Sequence, residues 1–107
     1  MTLGRKLIVF RVIGSQQIGM GHVYRALSLA HALTKHRVVF ATNKESAITV
    51  RRLVGDEYRV EVSAAEEAVE NIISLQPNLV VNDILDTEVT EVAPFQSNGI
   101  RVVNFED

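Results

Sequence analysis

The stretch "KLIVFRVIGSQQIGMGHVYRALSLAHAL", residues 6–33, decides the fold. Residues 6–13 are apolar nearly throughout and rich in β-branched side chains, as a strand covered on both faces requires. From Gly21 onward, Val23, Ala26, Leu27, Ala30 and Leu33 recur at the spacing of one helix face, so a helix is expected over 21–36. Between the two lie Gly14, Gly19 and Gly21, three of the chain's six glycines. A buried strand feeding an amphipathic helix through a glycine-rich loop opens a βαβ unit.

The alternation continues along the chain. "RVVFAT" (37–42) is a second buried strand. Asn43 is placed to cap a helix over 44–54 that sets Ala47, Val50 and Val54 on one face and stops at Gly55. "YRVEV" (58–62) alternates like a strand near a sheet edge. Ser63 and Glu66 have capping-box spacing ahead of a helical stripe of Ala65, Val69, Ile72 and Ile73 that ends at Pro77. "NLVVND" (78–83) is again a buried strand. A helix over 86–99 carries Pro94 inside it, where proline removes a hydrogen bond, and Gly99 closes it. "IRVVNFED" (100–107) is the last strand. Five strands alternating with helices through short links call for a parallel sheet with right-handed crossovers. The expected fold is α/β, a Rossmann-like three-layer sandwich with strand order 3-2-1-4-5.

Composition bounds what such a domain can do. The 107 residues suffice for one compact domain, 1–107, and are too few for two. An apolar content of 47% argues against disorder. A net charge of −2 offers no footprint for nucleic acid. No apolar run approaches the ~20 residues of a membrane span, and "MTLGRKLIVF" lacks the small-residue cleavage site of a signal peptide. Without cysteine there is neither a disulfide framework nor a thiolate metal site, and a reducing, cytoplasmic setting is expected.

The loop after the first strand of a parallel sheet lies at the carboxyl edge, where ligands bind. Glycines there permit close backbone approach, and the following helix aims its free N–H groups at the same crevice. An anion such as phosphate is the natural guest, although three glycines can also do no more than shape a turn. Familiar phosphate loops fail the test. Gly14 and Gly19 have the spacing of a GxxxxGK[ST] loop, but Met20-Gly21 stands where lysine and serine or threonine belong. Tyr24 occupies the third glycine position of GxGxxG, and "FATNK" (40–44) offers no acid for a ribose. His22 stands at the helix start, where the dipole disfavours imidazolium and leaves a ring able to accept a proton. Arg25, one turn on, acts in the same direction and can hold a carboxylate or phosphate. A lone histidine there can equally be a solvated or capping residue.

Other candidates are weaker. Asp83, Asp86, Glu106 and Asp107 fall at or just past strand ends, where paired carboxylates can bind a metal or act as acid and base. Asp86 is more simply a helix cap and the last two a solvated terminus, so no metal is assigned. Asp83 stays a candidate, since it overlooks the glycine loop if the fourth strand neighbours the first. It is not a phospho-acceptor of the receiver kind, because the acidic pair and the lysine such domains need are missing. His31 and His36, with Lys35 and Arg37, complement the first helix's dipole.

"FRVIGSQQIGMGHVYRALSLA" (10–30) resembles the N-terminal signature of the nucleotide-sugar hydrolase of pseudaminic acid biosynthesis and of related spore-coat polysaccharide biosynthesis proteins, roughly F-R-x-D-x-S-x-x-I-G-x-G-H-x-x-R-x-L-x-L-A. The matching positions are Phe10, Arg11, Ser15, Ile18, Gly19, Gly21, His22, Arg25, Leu27, Leu29 and Ala30. Two departures stand out: Ile13 replaces the motif's aspartate, and Asn82-Asp83 replaces an Asp-His pair. The resemblance implies a glycosyltransferase-B architecture, two Rossmann-like halves across a cleft, with the nucleotide held mainly by a C-terminal half that lies outside these residues. It implies cleavage of a UDP-linked 2,4-diacetamido-2,4,6-trideoxyhexose with His22 as general base and no cofactor. Gly19, Met20, Gly21 and Arg25 then lie at the substrate, with Arg11, Ser15 and Asp83 as further contacts. By the same reasoning the chain alone binds UDP poorly and turns nothing over. A glycosyltransferase of polysaccharide biosynthesis and a non-catalytic flavodoxin-like interaction module are the alternatives.

Overall fold

The computed structural model describes residues 6–12, 21–83 and 89–104. Five strands, β1 (Leu7–Val12), β2 (Arg37–Thr42), β3 (Arg59–Val62), β4 (Leu79–Asp83) and β5 (Arg101–Asn104), alternate with four helices. These are α1 (Gly21–Ala32), α2 (Ala47–Val54), α3 (Ala68–Ser74) and α4 (Val89–Ser97). All pairings are parallel and the sheet order is β3-β2-β1-β4-β5. The fold is a Rossmann-like α/β sandwich in the order the sequence implies.

The strands' period of two divides the core between the sheet's faces. Ile8, Phe10, Val12, Val38, Phe40 and Val81 meet Ala26 and Ala30 of α1 and Val50 and Val54 of α2. On the other face Val9, Val39, Ala41 and Val80 meet Ile72 of α3, Phe95 of α4 and Ile100. Consecutive residues of β1 therefore serve different helices, which is why residues 6–13 read as continuously apolar. The Phe10 and Phe40 rings stack at 5.5 Å between centroids, joining the two central strands on the α1 side.

Helix termini depart from the sequence reading in three places. The first helix ends at Ala32 rather than at 36, and a Leu33 N–H bond to the Ala30 carbonyl tightens the exit. Asn43 caps a turn instead of a helix: its Oδ1 accepts from the Ser46 N–H at 2.8 Å, and α2 begins only at Ala47. The Ser63–Glu66 capping box does not form. Ala65–Glu67 make one 3₁₀ turn before α3, and the Ser63 hydroxyl accepts from Asn71 Nδ2 at 2.9 Å. The glycine stops hold, with φ of 61° at Gly55 and 73° at Gly99.

Pro94 lies inside α4 and does not break it. An interior proline costs about 3 kcal/mol, and the next residue, Phe95, is wholly buried. Fully burying a phenylalanine is worth about 1.5–3 kcal/mol, comparable with that cost, so packing offsets the lost bond. Among the described residues no helix is long and apolar enough to cross a membrane.

Candidate functional site

In a parallel sheet all strands end at one edge, so Val12, Thr42, Val62, Asp83 and Asn104 mark a common rim. β4 neighbours β1, and the Cα of Asp83 pairs with that of Val12. The positional condition for Asp83 is thus met, with the last residues of two central strands side by side. Helix α1 opens with Gly21 and His22 and returns the chain from this rim to the start of β2, so its amino end lies at the rim. The backbone of His22 is placed there; its side chain lies outside the described part. Arg25 is half-buried on α1. Ser15, Gly19 and Met20 lie outside the described residues, as do Ile13, Gly14, Asp86, Glu106 and Asp107.

Arg11 is separated from that group. Its neighbours Phe10 and Val12 face α1, whereas Arg11 shares the face of Val9 and lines a cavity with Ala68 and Ile72 of α3. The pleat places Arg11 on the α3 face of the sheet, whereas α1, which carries His22 and Arg25, packs on the other face.

The strand registers explain what Arg11 does belong to. Glu61, Ala41, Arg11, Asn82 and Asn104 form one row across all five strands at the carboxyl end. Two residues earlier the corresponding row is Arg59, Val39, Val9, Val80 and Val102, apolar on every strand but the edge strand β3. Polar groups therefore replace the core within a single step along the strands. Asn82 is fully buried and donates from Nδ2 to Asn104 Oδ1 at 3.1 Å. Its Oδ1 has no hydrogen-bond partner among the described residues. Glu61 is paired with Arg59.

The cavity beneath α3 measures about 50 Å³ and is lined by Arg11, Ala41, Thr42, Asn43, Ser63, Ala68 and Ile72. Arg11 and Thr42 are each 7% exposed, and the Thr42 hydroxyl, like Asn82 Oδ1, lacks a partner among the described residues. Sequence reasoning missed Thr42, Asn43, Ser63 and Asn82 as site residues. The available signal was a polar residue in a buried strand at the same distance from two strand ends, Arg11 in "LIVFRV" and Asn82 in "LVVND".

Elsewhere polar groups are spent on structure. At the amino-terminal edge Lys6, His36, Asn78 and Arg101 border an open depression. There Asn78 Oδ1 accepts from the Leu7 N–H at 2.9 Å and His36 Nδ1 from the Lys6 N–H at 3.2 Å, tying strand starts together. His31 meets Glu57 at 3.2 Å in solvent. Among the described residues no group of three or more histidines and carboxylates is arranged to hold a metal ion.

No protein-family model matches the chain. Over 79 residues it is 33% identical to an uncharacterized protein of Methanocaldococcus jannaschii. That match takes in 70% of this chain and 16% of the archaeal protein's length.

Proposed function

We propose that the chain is the N-terminal part of a glycosyltransferase-B-type enzyme that hydrolyses a nucleotide sugar and releases UDP. The substrate on this reading is a UDP-linked 2,4-diacetamido-2,4,6-trideoxyhexose, processed in the cytoplasm. The supporting observation is the coincidence of the sequence signature with the fold. Gly21 and His22, where the signature has its final glycine and histidine, open α1 at the carboxyl rim of a parallel sheet, where open α/β sheets take their ligands. His22 accepts a proton from water, the water oxygen bonds to the anomeric carbon, and the carbon–oxygen bond to UDP breaks with its electron pair leaving on UDP. Arg25 and the α1 N–H groups stabilise the departing negative charge. A C-terminal half supplies the main nucleotide contacts.

The test is UDP release by the protein that contains this segment together with its C-terminal half. Loss of a general base costs about 10²–10⁴-fold in rate, so His22→Ala should lower kcat by that factor and leave KM nearly unchanged. Unchanged kcat would overturn the proposal; a rise in KM alone would assign His22 to binding. Product analysis with and without a saccharide acceptor separates hydrolysis from transfer.

A further inference from the structure

We propose that Asn98-Gly99 is a gated deamidation site: the closed end of α4 protects the asparagine, and local opening exposes it to conversion into isoaspartate. The site lies apart from the α1 end and owes nothing to the chemistry proposed there.

The sequence sets the reaction. Of the chain's six asparagines only Asn98 precedes a glycine; the others precede Lys44, Ile72, Leu79, Asp83 and Phe105. Asparagine is thermolabile because the backbone nitrogen of the next residue can close a five-membered ring on its Cγ. Glycine, without a Cβ, permits that close approach best. Solvent base takes the Gly99 amide proton, and the nitrogen's electron pair bonds to Asn98 Cγ. The Cγ–Nδ2 bond then breaks with its pair on nitrogen, which takes up a proton and leaves as ammonia. Water opens the resulting succinimide. Attack at Cγ gives aspartate, whereas attack at the Asn98 carbonyl carbon gives isoaspartate, with the main chain rerouted through Cγ. The net change is one water consumed and one ammonia released.

The folded end of α4 engages both reacting groups. The Gly99 N–H donates to the Gln96 carbonyl at 3.0 Å and the Ile100 N–H to the Phe95 carbonyl at 3.0 Å. With Gly99 at a φ of 73°, these are the paired bonds of a left-handed helix stop. Asn98 Nδ2 donates to the Pro94 carbonyl at 2.8 Å, which turns the carboxamide back along the helix. Ring closure requires both groups to be released. Phe95 and Ile100 hold the stop shut, since both are buried in one core cluster beneath α4. Residues 96–99 are themselves exposed, so water and base reach the site once the bonds open, and such a segment opens at less cost than the core.

Isoaspartate prevents the stop from closing again. It places an extra backbone carbon between Asn98 Cα and the Gly99 nitrogen, so the Gly99 and Ile100 N–H groups lose register with Gln96 and Phe95. The donor to Pro94 is lost as well. Ile100 leads directly into β5, an edge strand, so the disturbance passes into the sheet.

The experiment incubates the 107-residue chain in warm, mildly alkaline buffer, folded and in concentrated urea. Conversion is followed by mass spectrometry of the tryptic fragment 60–101, and isoaspartate is scored with an isoaspartyl methyltransferase. In urea, Asn98 should convert ahead of Asn71, Asn78 and Asn82. In the folded chain it should convert at least about tenfold more slowly, the factor that an opening cost of ~1.4 kcal/mol produces. Ile100→Ala loosens the stop and leaves both reacting groups in place, so it should speed conversion of the folded chain several-fold without changing the rate in urea. Should Ile100→Ala unfold the chain, urea below the unfolding transition takes its place. Conversion should then rise in step with hydrogen exchange of the Gly99 and Ile100 amides. Equal rates for folded and urea-treated chain overturn the gating, and preferential conversion of another asparagine in urea overturns the site. Chain carrying isoaspartate, separated and returned to buffer, should unfold at lower urea than unmodified chain; an unchanged midpoint overturns the claim that the stop cannot close again.

Discussion

Arg11 and Asn82 occupy directly paired positions on β1 and β4, with their Cα atoms in register and both side chains buried. One pleat earlier on the same strands, Val9 and Val80 pair in the same way and are also fully buried. Valine in that setting contributes apolar burial, whereas a guanidinium and a carboxamide must each recover the free energy of leaving water. A domain selected only for its core would repeat the valine row. The polar row therefore marks where the apolar core of the sheet gives way to groups that need hydrogen-bond partners.

Asn82 and Asn104 should respond unequally to substitution. Asn82→Leu removes a buried acceptor that has no partner among the described residues, together with one bond to an exposed residue that water can replace. Stability should stay level or rise by up to about 1 kcal/mol, because the buried unsatisfied group is removed and Asn104, left behind, is exposed to water. Asn104→Ala leaves the buried Asn82 Nδ2 without its acceptor and should cost about 1–2 kcal/mol. Urea unfolding of the two variants decides it. A loss above about 2 kcal/mol for Asn82→Leu would mean that Oδ1 does have a partner.

The sheet was legible because its signals are local and redundant. Each buried strand announces itself by a β-branched run, and the alternation of strands with helices fixes a parallel order without any long-range information. The termini of α2 and α3 were misread because capping side chains can satisfy several targets. Asn43 bonds the Ser46 N–H of a preceding turn, and Ser63 finds Asn71 eight residues on. A capping box specifies two side chains and a spacing, and it cannot register a competing asparagine on the helix. On the α1 side the sequence offers a motif of glycines and a histidine, and the backbone of Gly21 and His22 opens α1 at the carboxyl rim. Arg11 belongs to the motif, but a motif gives spacing along the chain while the pleat decides the face, here that of α3. Thr42 and Ser63 come from different strand ends and meet only through the β2–β3 register, in which Thr42 pairs with Val62.

Gly55 and Gly99 should resist replacement for reasons of backbone alone. A Cβ at either position meets nothing within 4 Å, while φ is 61° and 73°. Positive φ costs a residue with a Cβ about 1–2 kcal/mol, so Gly55→Ala and Gly99→Ala should each lose about that much in denaturant unfolding. Gly99→Asn should lose less, since asparagine tolerates the left-handed region better. A neutral Gly99→Ala would contradict the left-handed stop of α4.

Tyr58 links stability to alkaline pH. Burial raises its phenol above the usual tyrosine value of 10.0, and the neighbouring Glu57 carboxylate adds to the effect. The ring packs at 5.4 Å from Phe40. A raised native pKa means that the folded chain holds the phenolic proton more tightly than the unfolded chain does. The contribution is therefore complete below pH 10, the unfolded value, and is lost as pH climbs through the native one. Unfolding free energy measured from pH 8 to 11 should fall above about pH 10, and Tyr58→Phe should flatten that decline. An unaltered decline in Tyr58→Phe would assign the alkaline loss to other groups.

Phe10 tests how far the α1 face governs the whole domain. Its ring is 1% exposed and stacks on Phe40, so it joins the central strand to β2 beneath α1 and α2. Truncating a buried phenylalanine costs about 3–5 kcal/mol, against a total of about 5–15 kcal/mol for an ordinary domain. Phe10→Ala should consume a large share of that margin, lowering the urea midpoint sharply or leaving the chain partly unfolded at 37 °C. Phe10→Leu keeps most of the volume and forfeits the ring contact, so a loss of about 1–2 kcal/mol is expected. If Phe10→Ala cost less than 1 kcal/mol, the α1 face would be loosely packed, and the helix start that carries His22 would lack the rigid support a catalytic position needs.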